Sequence, residues 1–258
     1  MLKHSFIILA YKESDDLEEC IKSVLNQSVK SNVLITTSTP NDFIMELASN
    51  YSLGVMVNDA KSNKGNDFNF ALATMNSELI TIAHQDDLYN RNYTKEILET
   101  YKKNKDATII FTDNYEIRKD KKINHSRELS RKRYYLYPLK FRFFQNKKYF
   151  KLRALKKEKF ICTSSITFVK KNIDDNLFPT DLIYDNDWKA LINLVKENKR
   201  FVYIDDKLVG YRVNKKNISK GKIKEDDAII RSLYSNFIAE KVIEKRNRKR
   251  EKKSKKVL

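Results

Sequence analysis

Short apolar runs alternate with stretches of helical periodicity along the first half of the chain. Phe6-Ile7-Ile8-Leu9-Ala10 is an unbroken apolar run of strand length, the pattern of a strand covered on both faces. From Glu13 to Gln27, Leu17, Cys20, Ile21, Val24 and Leu25 recur at helical spacing. A second strand is predicted over Asn32–Thr36. A helix follows over Asn41–Tyr51, with Pro40 favourable near its start. Leu53–Val57 predicts a short third strand. Lys64–Met75 predicts a helix with Phe68, Ala71, Leu72 and Met75 on one side. Leu79–Ala83 is the fourth strand, Asn90–Asn104 a helix and Ala107–Phe111 the fifth strand. Strands alternating with helices of this length predict βαβ units and a parallel sheet. To about residue 118 the chain reads as an α/β layer of the nucleotide-binding type, and no internal repeat is evident.

From Lys119 to Lys159 the character changes. Arg131-Lys132-Arg133-Tyr134-Tyr135-Leu136-Tyr137-Pro138 is basic and aromatic, and the same composition continues through Phe141–Phe144 and Lys147–Phe150. A strand is predicted again at Ser165–Val169. A helix follows over Asp185–Asn198, with Trp188, Leu191, Ile192 and Val195 inward. Phe201–Ile204 and Leu208–Tyr211 predict two strands joined by a turn at Asp205-Asp206-Lys207. Asp226 to about Lys245 has one apolar stripe, the pattern of an amphipathic helix. The residues from 245 to 256 form a basic tail.

Composition narrows the partners. The 258 residues carry a formal charge of +18, with only four Gly and three Pro. One large domain, or one domain with an appendage, is expected. The excess of positive charge calls for an anionic partner: nucleic acid, an acidic membrane surface or a phosphorylated substrate. Cys20 and Cys162 are the only cysteines. Without a secretory leader they predict reduced thiols in a cytoplasmic protein. No apolar stretch approaches the roughly 20 residues that span a bilayer, so a soluble or peripheral protein is expected.

Two acidic sites carry the candidate chemistry. His84-Gln85-Asp86-Asp87 follows the fourth strand, where open α/β sheets bind ligands. Adjacent carboxylates repel unless a cation or donors lie between them. A hard divalent ion, Mn²⁺ or Mg²⁺, prefers oxygen ligands and shares them with a diphosphate. The plain alternative is an acidic turn capping the next helix. His84 is open between metal ligand and hydrogen-bond donor to a group that holds the metal. The second site is Tyr184-Asp185-Asn186-Asp187-Trp188. Asp187, with Asp185 as runner-up, suits a general base. The plain alternative is an N-cap and a first-turn acid.

In this order and at these spacings, the pieces resemble the family 2 glycosyltransferases of the GT-A fold. Those enzymes move a sugar from a nucleotide donor with inversion. The resemblance spans roughly residues 4 to 220. It rests on the first strand ending at Tyr11, on Asn63-Lys64-Gly65 followed by Asn69-Phe70-Ala71-Leu72, on Ile82–Asp87, on Tyr184–Trp188 and on Tyr211-Arg212-Val213-Asn214. It implies a Rossmann-like, mostly parallel sheet flanked by helices, with a C-terminal amphipathic helix. The implied glycosyltransferase domain covers 1–222, with a nucleotide-binding half at 1–118 and an acceptor half at 119–222. The acceptor half carries a basic aromatic insert at 127–159, and 223–258 is helix and tail.

The resemblance also implies site residues. Metal would be held by Asp86 and Asp87, and the base supplied by Asp187 or Asp185. The implied donor set is Ala10, Tyr11, Glu13, Thr37, Asp67, Asn69 and Asp86, and the implied acceptor set is Thr163, Ser164, Trp188 and Arg212. Each has a plainer structural reading: Tyr11 as a core edge, Asn69 as a packing residue, Glu13 as a first-turn acid, Arg212 as a surface ion pair. Three departures bear on the donor. Thr36-Thr37-Ser38-Thr39-Pro40 lacks the acid usual after the second strand, His84 replaces the first acid of the metal turn, and Phe68 stands where Arg is frequent. A UDP-sugar donor is still the first expectation. The acceptor implied is a saccharide, lipid-linked, in cell-surface polysaccharide synthesis. The basic segments fit peripheral attachment to the inner face of the plasma membrane, or a solvated tail. The rivals are a nucleic-acid-binding protein, disfavoured by acids in a phosphate-binding groove, and an inactive nucleotide-sugar-binding relative.

Overall fold

Three strand-helix units follow one another outward before the chain turns back. In a computed structural model that describes residues 3–60, 63–155, 160–182 and 186–213, with Ser232 and Ser235 beyond them, they are β1 (His4–Ala10), α1 (Leu17–Leu25), β2 (Asn32–Thr37), α2 (Asp42–Asn50), β3 (Gly54–Val57) and α3 (Lys64–Ala73). Next come β4 (Leu79–His84), β5 (Leu88–Tyr89), α4 (Tyr93–Lys103), β6 (Ile109–Arg118) and β7 (Lys121–Ile123). The basic aromatic stretch folds into α5 (Arg127–Leu136), α6 (Arg142–Gln145) and α7 (Lys148–Arg153). β8 (Ile166–Val169), α8 (Asn186–Lys196) and β9 (Phe201–Arg212) complete the described elements. The expected helix at 226–245 and the basic tail lie outside the described residues, apart from Ser232 and Ser235.

Three helices, α2, α3 and α5, start where a side chain satisfies one of their first amides. Asn41 accepts from the Ile44 N–H at 3.0 Å, Asn63 from the Gly65 N–H at 2.7 Å and Ser126 from the Leu129 N–H at 3.1 Å. α1 begins at Leu17 rather than near Glu13, after a turn at Asp15 and Asp16 in which the Leu17 N–H donates to the Ser14 carbonyl at 3.1 Å.

The sheet order is β3-β2-β1-β4-β8-β6-β9-β5, with β7 beside β6. β1, β2, β3, β4, β6 and β9 run one way; β5, β7 and β8 run the other. The mostly parallel α/β sheet is therefore as expected. β1 is central, and its side chains alternate between two cores. Ile7 joins Phe68, Leu72, Trp188 and Leu191 on one face. Phe6 and Ile8 join Leu17, Ile21, Ile44 and Ile97 on the other. Each apolar side chain buried this way contributes about 1.5–3 kcal/mol.

One predicted hairpin is a single strand. β9 runs on past Asp205 and Asp206, which are exposed, and pairs with β6 in the same direction before and after them. The register steps from Thr112↔Ile204 to Asp113↔Lys207, so the acidic pair is a bulge rather than a reversal. Beyond it, Val209 and Gly210 take up β5, which tethers the end of the chain's last strand to the segment after β4. Among the described residues no helix is long and apolar enough to cross a membrane.

Candidate active site

The chain goes outward from β1 to β2 and β3, then crosses back through α3 to lay β4 on the other side of β1. The strand order reverses there, and a crevice opens at the carboxyl ends of the strands. It is a cleft of about 1030 Å³. Ala10 and Tyr11 from β1, Thr37 from β2, and His84, Gln85 and Asp86 from β4 line one wall. Lys64 and Asp67 of α3, Arg131 and Lys132 of α5, Thr163, Ser164 and Asp187 line the others.

The acidic turn is built from both ends of the chain. Asp87 is fully buried. Its carboxylate accepts from the Arg212 backbone N–H at 3.0 Å and from the Ser164 hydroxyl. Burial, reinforced by the charge of Asp86, pushes the Asp87 carboxyl up to about 8. The Arg212 side chain grips the turn from behind. It donates to the Asp86 carbonyl at 3.1 Å and pairs with Asp16, Glu19 and Asp120. The Gln85 amide accepts from the Tyr11 N–H at 2.8 Å and donates to the Tyr11 carbonyl at 3.0 Å, which ties the turn to the end of β1. His84, Asp86 and Asp87 offer ligand atoms within 4.8 Å of one another. The donor set fits a divalent cation. It supplies two hard oxygens and a ring nitrogen, and a double positive charge would relieve the repulsion between buried Asp87 and half-buried Asp86.

The second acid stands at the start of α8. Asp187 is 2% exposed and lines the cleft. One carboxylate oxygen accepts from the Thr163 hydroxyl at 2.5 Å, with the Lys64 ammonium 3.7 Å away. The other accepts from the Trp188 N–H at 2.8 Å. Lys64 reaches Asp187 because α3 and α8 approach closely at Gly65. A Cβ there would meet the Pro179 carbonyl oxygen at 2.3 Å. Asn186, fully buried, donates to the Pro179 carbonyl at 2.7 Å and to the Leu182 carbonyl at 2.9 Å, which fixes that segment under the helix.

A third carboxylate lies by the end of β2, where the sequence itself has none. Asp67 comes from α3 and accepts from the Asn58 amide at 2.8 Å and the Ser38 hydroxyl at 3.2 Å.

A cleft at the switch point, with a His–Asp–Asp group that could hold a cation on one wall and a buried acid on another, is thus in place. The sequence profile of glycosyl transferase family 2 matches residues 5–178, more than half of the chain. The chain belongs to glycosyl transferase family 2. No curated protein sequence matches it. Solved structures share the fold at low identity. Staphylococcus aureus TarS 1–349 in complex with UDP-GlcNAc is 14% identical with a TM-score of 0.61, over 83% of this chain and 59% of that one. The mannosyltransferase PcManGT from Pyrobaculum calidifontis, in complex with GDP-Man and Mn²⁺, is 15% identical with a TM-score of 0.57, over 86% and 59%. Glucosyl-3-phosphoglycerate synthase from Mycobacterium tuberculosis, in complex with Mn²⁺, UDP-Glc and phosphoglyceric acid, is 12% identical with a TM-score of 0.60, over 90% and 79%. The chain spans about 60% of the length of the TarS 1–349 chain.

In this family 2 chain, most of the expected residues come together. Ala10, Tyr11, Thr37, Asp67, Asp86, Thr163, Ser164 and Asp187 line the cleft. Asp87 lies directly beneath the turn rather than in the wall. Four others are not among the lining residues. Glu13 is exposed in the loop after β1. The Asn69 side chain is spent on the Phe178 backbone, donating and accepting at 2.8 Å. Trp188 is in the core, its indole N–H donating to the Leu155 carbonyl at 3.0 Å. Arg212 faces the acids behind the turn. Asp185 lies outside the described residues. The family 2 cleft also holds Lys64, Gln85, Asn114, Arg131 and Lys132, which sequence reasoning did not single out. Lys64 and Gln85 sit inside motifs that were read for their neighbours; Arg131 and Lys132 sit inside a run read as outer surface.

Proposed function

We propose that this chain is a metal-dependent, inverting glycosyltransferase that moves a hexose from a UDP-sugar to a saccharide acceptor. One observation carries the proposal: Asp187 lines the same cleft as His84 and Asp86, from a separate element, with Asp87 directly beneath them. A divalent cation bound by that group supplies charge neutralisation to the departing diphosphate. His84, Asp86 and Asp87 are the residues that would hold it. Asp187 is the base. It takes the proton of the acceptor hydroxyl as that oxygen bonds to C1 of the sugar and the C1–phosphate oxygen bond breaks, releasing the nucleoside diphosphate. Thr163, Lys64 and the Trp188 N–H fix its two oxygens, so it meets the acceptor already oriented. Tyr11, half exposed at the mouth, would stack on the base. Asp67, Thr37 and Ala10 would meet the nucleoside. Thr163 and Ser164 floor the acceptor side. The UDP and UDP-sugar complexes of TarS and of the M. tuberculosis synthase support uridine as the first nucleotide to try.

The proposed acceptor is lipid-linked, as in cell-surface polysaccharide synthesis. Arg131 and Lys132 on the cleft wall suit the phosphate that such a carrier bears. Cys20 and Cys162 are not joined in a disulfide, in keeping with the proposed reducing, cytoplasmic location. The test is thermal stabilisation by a panel of nucleoside diphosphates and nucleotide sugars, with and without Mn²⁺, followed by turnover on the nucleotide that binds. Metal-dependent stabilisation by one nucleotide sugar, with product formation that Asp187→Asn abolishes, is the expected result. Stabilisation without turnover by any acceptor class would make the chain a nucleotide-sugar binder only.

A further inference from the structure

The helices α5 to α7 carry a surface that the sugar-transfer reading does not use. Phe143 and Tyr149 are each 70% exposed, Tyr137 55% and Phe141 48%. Contiguous exposed apolar surface of this kind marks an interaction site. The rings are continuous. Tyr137 touches Phe141 at 5.7 Å between centroids, and Phe141 touches Phe144 at 6.2 Å. Phe144 then contacts Phe143 at 5.3 Å and Phe150 at 4.4 Å. Cations ride on them: the Lys147 ammonium lies 4.8 Å from the Phe143 ring centre, and Lys140 5.3 Å from that of Tyr137. Residues 127–155 hold ten Lys or Arg against one acid, Glu128.

We propose that this face docks the protein on an anionic membrane, the rings entering the headgroup region while Arg142 and Lys147 meet lipid phosphates. Exposed rings among long cationic side chains match the apolar boundary and the charged headgroups together. The charge alone suits any polyanion; the ring arrangement selects lipid. The rings pack edge to face or tilted, and lysines already cover the faces of Phe143 and Tyr137, the faces that a nucleobase would need. The position also serves the cleft. α5 lends Arg131 and Lys132 to the cleft wall and, one turn on, begins the aromatic face with Tyr134 and Tyr137. A phosphate-linked acceptor anchored in the bilayer would meet the cleft from that side, a clause that rests on the proposed reaction; the docking itself does not.

The test uses the full chain and vesicles of phosphatidylcholine with or without phosphatidylglycerol. Trp188 is the only tryptophan and is buried, so Phe143→Trp places a reporter on the face. Blue-shifted emission with anionic vesicles, and quenching by brominated lipid, are expected. Phe143→Ser with Tyr149→Ser should reduce the fraction bound at least tenfold, with melting temperature and nucleotide binding unchanged. Vesicle binding that leaves the residue-143 tryptophan unquenched would assign attachment to another part of the chain. Wild-type-like binding by the double variant, or binding to an oligonucleotide but not to vesicles, would equally overturn the proposal. Nucleotide turnover is read separately, so failure of the docking face and failure of the proposed reaction are distinct results.

Discussion

Replacing Gly65 by alanine tests the close approach of α3 to Pro179 and Asn186 that sets Lys64 beside Asp187. Gly65 does not have a positive φ, so alanine can adopt its backbone; only space is lacking. The new Cβ would stand 2.3 Å from the Pro179 carbonyl oxygen and 3.0 Å from the Asn186 amide nitrogen. One is backbone and the other a buried side chain already holding two carbonyls, so neither yields as a flexible side chain would. The start of α3 must withdraw by about 1 Å to restore ordinary contact. Alanine in a helix gains up to about 1 kcal/mol over glycine, while overpacking costs about 1–3 kcal/mol. With backbone as the obstacle the second effect wins, giving a net loss of about 1–2 kcal/mol. At this chain length that lowers Tm by about 2–8 °C. Lys64, which stands beside Asp187, and Asp67, which is held at the end of β2, move with the helix. A displacement of about 1 Å can cost about a hundredfold in rate, so turnover should fall well beyond what instability explains at 25 °C. Calorimetry and turnover at saturating donor read the two effects. A Tm that rises with full turnover would show that α3 and α8 do not approach as described.

Asp187→Asn should lower kcat by about 10²–10⁴ with nucleotide affinity unchanged, measured by product formation and by binding of the nucleotide alone. Asp86→Ala, or removal of divalent metal by chelation, should abolish stabilisation by the donor, a shift of about 2.7 kcal/mol when donor is at a hundred times its Kd; a full shift in chelator would refute the metal assignment. Arg212→Lys cannot span the Asp86 carbonyl, Glu19 and Asp120 at once, and should cost about 1–3 kcal/mol in a denaturant melt. His4 is buried between Ser31 and Thr81, and burial lowers it to about 3, below the usual 6.5 or so of the unfolded chain. The unfolded chain therefore takes up this proton first. The corresponding stability, up to about 5 kcal/mol, is present above about pH 6.5 and drains as pH falls toward 3. His4→Gln should flatten that decline in melts at pH 7, 5.5 and 4.

The first half of the fold was legible because each element has one dominant environment. β1 and β4 are central and read as solid apolar runs, and α1 and α4 have one buried stripe each. β9 misled because Asp205-Asp206-Lys207 has turn chemistry, and only the long partner β6 shows that the chain keeps its direction. The helices at 127–155 were hidden because their periodicity is blurred by exposed rings. Within the site, the acids were legible from their positions after strands and at helix starts. The limits of that reading show at Trp188, Asn69 and Arg212. Sequence places such residues near the carboxyl ends of strands, but whether a polar group faces the cleft, the core or the back of a turn depends on partners far along the chain. Phe178, Leu155 and Glu19 are those partners. Asp67 shows the converse: a helix that starts at Lys64 turns this acid, expected among the donor residues, toward the end of β2, where the β2 loop has no carboxylate of its own.

The grip of Arg212 on the acidic turn sets an order in time. Asp87 is fastened by a backbone amide 125 residues further on, and Glu19 by a side chain 193 residues away. β6 likewise joins β4 only through β8. A chain synthesised at about 5–20 residues per second therefore carries the acidic turn, tied to β1 by Gln85 but without its Arg212 contacts, for about 6–25 s before its last strand emerges. A chain that stops short of β9 has β1 to β4 and lacks the clasp that Arg212 closes on the acidic turn.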